Sequence, residues 1–134
     1  MMTYEQLLDR IISDGLTEVH EAYNTPEDCH KRDGAIEGFE ACRNKTPPEL
    51  VALWTTTEEE TRQIRAACRE NRREQQDYWR IRYKELQIEF VCNVISVGLT
   101  SSGQAPLLPH LPTLRGARKY TEIVGTQGVS HLHS

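Results

Sequence analysis

Apolar side chains recur along this chain at helical spacing, and no useful length alternates in the manner of a strand, so the pattern predicts helices and no sheet. Tyr4, Leu8, Ile11, Ile12, Leu16, Val19 and Tyr23 form the first stripe. Thr3 followed by Gln6 is a capping box, in which each side chain satisfies an orphan N–H, so a helix is expected over 3–23. Gly15 weakens it by up to ~1 kcal/mol relative to Ala. A second helix should open at Thr25, with Pro26 at its first position and Glu27 and Asp28 against the positive end of its dipole. Its buried face should hold Cys29, Ala35, Ile36, Phe39 and Cys42, and Gly34 and Gly38, one turn apart, invite a close helix crossing.

Thr46-Pro47-Pro48-Glu49 is a further N-terminal signature, predicting a short helix through Trp54, and Thr57-Glu58-Glu59-Glu60 then reads as the cap of another. That pattern runs on to about Leu99. A single helix of such length would span ~65 Å, far beyond a domain whose radius of gyration is ~14 Å. The stretch from Glu70 to Asp77 holds no apolar residue, so a break or bend is expected there. From Tyr78 to Leu99 apolar residues appear nearly all round the helix, the mark of a central one. The reading is an all-α fold: a small helical bundle over 1–100 with a long central helix. An extended proline-containing arm and a short C-terminal helix are expected over 101–125, and a disordered tail over 126–134. Prolines 106, 109 and 112 define the arm, and its Leu107, Leu108 and Leu111 call for burial, on a neighbouring subunit or on the bundle itself.

Composition sharpens this picture. With 134 residues the chain makes one domain, and its 37% apolar content leaves a lean core that an oligomer would help to complete. The net charge of −4 conceals an uneven distribution: residues 1–60 carry 14 acidic and 5 basic side chains, residues 61–134 carry 6 and 11. The halves can neutralise each other, or one can meet a charged partner. An acidic total argues against general DNA binding. No apolar run approaches the ~20 residues of a membrane span. The N-terminus lacks a secretory apolar stretch, so Cys29, Cys42, Cys68 and Cys92 are expected to be reduced and buried in a cytoplasmic protein.

Three polar placements carry candidate chemistry. Arg82, Glu85, Glu89, Asn93 and Ser96 share one face of the central helix, either as an ion-pair network or as the wall of a pocket for a polar ligand. Arg115, Gly116, Arg118 and Lys119 stand at the start of the expected last helix, where cations oppose the dipole. A phosphate or nucleotide would relieve that conflict, with Gly116 letting it approach the backbone. Asp33, Glu37 and Glu40 line the second helix as an acidic row. Arg62, Arg65, Arg69, Arg72 and Arg73 form a basic flank that should be solvated or dock on that row.

No GxSxG, P-loop, dinucleotide-binding or zinc-finger motif is present, so the leading expectation is non-enzymatic: a homo-oligomeric protein that recognises, and could sequester, an anionic nucleotide or phosphorylated small molecule. The alternative is a small acidic inhibitor, of the kind found in viruses and mobile elements, that blocks a host nucleic-acid-handling complex by presenting Asp33, Glu37 and Glu40 as phosphate mimics. A third reading comes from a motif. Glu37-Gly38-Phe39-Glu40 followed by Glu74-Gln75-Gln76-Asp77 resembles, over eight residues, the paired acidic motifs of MazG-type all-helical nucleotide pyrophosphatases. The resemblance implies magnesium held by these carboxylates.

Overall fold

Helix starts fall where short side chains can hold orphan backbone N–H groups. In a computed structural model of the chain, which describes residues 2–68 and 71–101, the Thr3 hydroxyl accepts from the Gln6 N–H at 3.2 Å and the Gln6 amide oxygen accepts from the Thr3 N–H at 3.0 Å. This reciprocal cap opens α1, Tyr4–Ala22. A 3-10 turn, Pro26–Asp28, leads into α2, Cys29–Ala41. Asn44, at φ 60, makes the tight turn that follows, a conformation asparagine tolerates better than most residues. The Glu49 carboxylate then accepts from the Thr46 N–H at 3.3 Å and hydroxyl at 2.7 Å, opening α3, Pro47–Ala67. The Asn71 side chain accepts from the Arg73 N–H at 3.1 Å and starts α4, Arg72–Ser101.

The protein is therefore all-α, and no strand occurs among the described residues. The expected break is present: α3 ends at Ala67 and α4 begins at Arg72, so most of the apolar-free stretch forms the first turns of α4. Thr57 caps nothing. α3 is continuous through it, and its hydroxyl donates to the Leu53 carbonyl one turn back. A Thr-Glu-Glu-Glu signature is local, whereas the continuity of α3 is set by its packing along α4. The expected arm, terminal helix and tail lie outside the described residues beyond Ser101.

α4 is the central element: α1, α2 and α3 all lie against it. α2 runs parallel to it, with Gly34 at Arg80 and Gly38 at Lys84 and Gln87. A methyl at 34 would collide with the Arg80 carbonyl, and one at 38 would stand 2.6 Å from the Lys84 carbonyl oxygen, so only glycine lets the backbones meet this closely. α1 runs antiparallel, with Leu7 over Gly98 and Tyr23 edge-on to Tyr83 at 5.9 Å. Gly15, a liability for an isolated helix, is the floor on which the Phe39 ring rests.

Leu7, Leu8, Ile11, Ile12, Val19, Ala35 and Phe39 meet Ile88, Val91, Val94 and Ile95 in one apolar core. Cys42 and Cys92 are buried in it as free thiols, whereas Cys29 and Cys68 are only half-buried. Burial pushes the Cys92 thiol up to about 12, which keeps it protonated and inert. Among the described residues, no helix is long and apolar enough to cross a membrane.

Candidate functional site

The polar face of α4 is assembled as its spacing suggests, and α3 covers it. α3 is antiparallel to α4. Near one end Cys92 Sγ lies 3.7 Å from the Leu50 carbonyl; near the other, Arg65 donates to the Tyr78 hydroxyl at 2.8 Å. Between these points α3 turns Thr57 and Thr61 inward, each 2% exposed, and α4 turns in Glu85 and Glu89, each 6% exposed, with Asn93, at 5%, just past Cys92. The polar stripe is thus interior and faces a helix.

Its members are satisfied unevenly. Arg82 Nη1 donates to Glu85 Oε1 at 2.5 Å, while Glu85 Oε2 is buried without a hydrogen-bond partner. Asn93 Nδ2 donates back to the Glu89 carbonyl at 2.9 Å. Thr57 and Thr61 likewise donate to carbonyls of their own helix, so neither hydroxyl bridges the seam. The Trp54 indole N–H steadies the Glu89 carboxylate without reaching good hydrogen-bond geometry, and it too is buried without a partner. Burial, reinforced by Glu85, raises the Glu89 carboxyl to about 7; Glu58 adds to the rise and Arg82 opposes it. One guanidinium therefore serves a neighbourhood of three carboxylates.

The acidic row behaves differently. Asp33, Glu37 and Glu40 are exposed along a flank of α2, beside the face clamped to α4. Glu37 meets Lys84 at 3.4 Å, and Glu40 meets Arg43 at 2.9 Å. The Arg43 hydrogen bond holds the Glu40 carboxyl below its usual range. These cations are not the ones expected to dock there. Arg62 pairs with Glu59, and Arg65 lies over the Tyr78 ring at 5.4 Å. Arg72 and Arg73 are exposed on the first turn of α4. The described part of the basic flank of α3 does not approach α2, and Arg69 lies outside the described residues.

Arg115, Gly116, Arg118 and Lys119 also lie outside the described residues. The two acidic motifs do not converge. Glu37 and Glu40 flank Gly38, which sits level with Lys84 and Gln87, whereas Glu74 and Asp77 lie two or more turns nearer the start of α4. Among the described residues, no group of three or more His, Cys, Asp or Glu is placed to hold a metal ion. An open hollow of about 440 Å³ lies between the start of α1 and the α2–α3 turn, a feature the sequence pattern did not signal. Its polar groups are largely committed. Tyr4 donates to the Lys45 carbonyl at 2.7 Å, and Arg43 is shared by Asp9 and Glu40.

No protein-family model matches the chain, and neither a curated protein nor a solved structure matches it.

Proposed function

We propose that the protein is a non-catalytic interaction module that offers the acidic row of α2 to a basic macromolecular surface of the kind that binds nucleic-acid phosphates. The observation that carries this reading is the rigid presentation of Asp33, Glu37 and Glu40. Gly34 and Gly38 lock the adjoining face of α2 onto α4, which fixes the rotation of the helix and keeps the row exposed on its flank. At 1.5 Å per residue, Asp33 and Glu40 stand about 10 Å apart along the axis. The Arg43 pair is at the surface, where exchange for a partner's cations costs little, whereas Lys84 is only 19% exposed and holds Glu37 at the edge of the α2–α4 contact.

The test is competition. The protein should displace a fluorescent DNA duplex from an arginine-rich peptide, and more weakly as salt rises. Neutralising the row by Asp33→Asn, Glu37→Gln and Glu40→Gln should weaken this by tenfold or more. Neutralising Glu5, Glu18 and Glu21 on α1 serves as the matched control. Equal loss in both variants would mean that net charge alone is responsible, and the reading would fall.

A second reading, recognition of a nucleotide or phosphorylated small molecule by a homo-oligomer, is supported by the cations at Arg115, Arg118 and Lys119, which would oppose the dipole of the last helix expected from the sequence. The buried carboxylates beside Arg82 disfavour an anion at that face of α4 and leave the cation cluster as its carrier. Ligand at 100 times its Kd should stabilise the fold by ~2.7 kcal/mol in thermal unfolding. The double variant Arg115→Ala, Arg118→Ala should lose that shift.

A further inference from the structure

Among the described residues α3 lies along α4; its first half joins the apolar core through Leu50, Val51, Leu53 and Trp54, and the half beyond is held by the α4 interface. That interface is unlike the rest of the interior. Its buried residues include Thr57, Thr61, Glu85, Glu89 and Asn93, with Leu50 anchoring one end. Glu85 and Glu89 are one turn apart on α4, so their side chains are neighbours. Glu85 Oε2 is a buried acceptor that no donor reaches. A neutral Glu89 carries the O–H that such an acceptor lacks; an ionised Glu89 adds a second buried negative charge beside it.

We propose that α3 is a proton-controlled latch, seated on α4 while Glu89 carries its proton and released as that proton passes to solvent. The charged groups facing Glu89 are Arg82 and Glu85 on α4 and Glu58 on α3. α1 and α2 approach α4 from its other side, at Arg80, Lys84, Gln87 and Gly98. With the proton in place, the seam holds Arg82 against the equivalent of two carboxylates. Without it, three carboxylates confront one guanidinium, and the cheapest relief is to move α3, which carries Glu58, away.

The direction in pH follows. A carboxyl raised in the seated state binds protons more tightly there than when exposed, so seating is favoured at low pH and weakens as pH rises toward and through about 7. This device does not depend on the acidic row of α2, which points elsewhere.

Hydrogen exchange on the full chain, corrected for intrinsic rates, provides the test. Amides of α3 should lose protection about tenfold between pH 6 and pH 8, the ratio that follows from a carboxyl moved from 4.5 to about 7, while α1 and α4 hold theirs. Glu89→Gln, always neutral, should abolish the change. Unchanged α3 protection in the native chain, or the same loss in Glu89→Gln, would overturn the latch. A second readout guards against a variant that fails to fold. Trp79→Phe leaves Trp54 as the single tryptophan, and its emission should titrate with a midpoint near 7. Glu85→Gln should move that midpoint down, because the Glu85 charge is part of what holds it up; an unmoved midpoint would sink the proposal.

Discussion

α4 is gripped on two sides by opposite means. Toward α1 and α2 it presents Ile88, Val91, Val94 and Ile95, all buried against leucines, isoleucines and Phe39. Toward α3 it presents Cys92 against Leu50 at one end and, beyond that, Glu85, Glu89 and Asn93 with two threonines. The first contact is driven by the removal of apolar surface from water and is indifferent to pH. The second depends on charge state, and its hydroxyls are spent on their own helix. One element thus belongs to a region that fixes the fold and to a seam whose strength can be tuned. The difference is sharpened by glycine: α2 reaches α4 at backbone contact through Gly34 and Gly38, while the α3 seam has no glycine among its buried residues.

Breaking the apolar side should give the largest effects. Ile88 and Ile95 are completely buried, so Ile88→Ala or Ile95→Ala should each cost about 3–4 kcal/mol in urea unfolding, through lost transfer energy plus the cavity left behind. Both should lower global stability, with α1, α2 and α4 losing protection together. Next comes the crossing. Gly34→Ala would thrust a methyl into the Arg80 carbonyl, and because backbone cannot yield as a side chain can, about 2–3 kcal/mol is expected. A neutral result for Gly34→Ala would show that α2 is free to shift along α4, and the rigid presentation of Asp33, Glu37 and Glu40 would go with it.

Much of this was legible in sequence because the deciding interactions were short-range. Thr3 and Gln6 cap a helix from three residues apart, and the Gly34–Gly38 spacing announced a close crossing before its partner was known. The polar stripe of Arg82, Glu85, Glu89 and Asn93 followed from periodicity alone. What covers that stripe did not, because α3 meets it from some 25 to 40 residues upstream. The reason for Gly15 was hidden for the same cause: Phe39, which rests on it, belongs to another helix. Thr57 was misread as a cap because its side chain obeys the same local chemistry in mid-helix, donating one turn back, that makes threonine effective at a helix start. The cations that meet the acidic row, Lys84 and Arg43, likewise come from outside its helix or just past its end.

The smallest expected effect is the most discriminating for the seam. Thr57→Val with Thr61→Val keeps the shape of both side chains and replaces hydroxyls that bond only to carbonyls of α3 itself. No cross-helix bond is lost, and two methyl groups join the interface. The pair should tighten α3 by no more than about 1 kcal/mol in total. Protection of α3 should therefore rise at pH 6 and at pH 8 by the same factor, leaving the tenfold ratio between them intact, because Glu58, Glu85, Glu89 and Arg82 are untouched. A collapse of that ratio would assign the pH response to the hydroxyls. Its persistence would separate the two properties of the seam, with apolar area setting how firmly α3 sits and the Glu89 proton setting when it leaves.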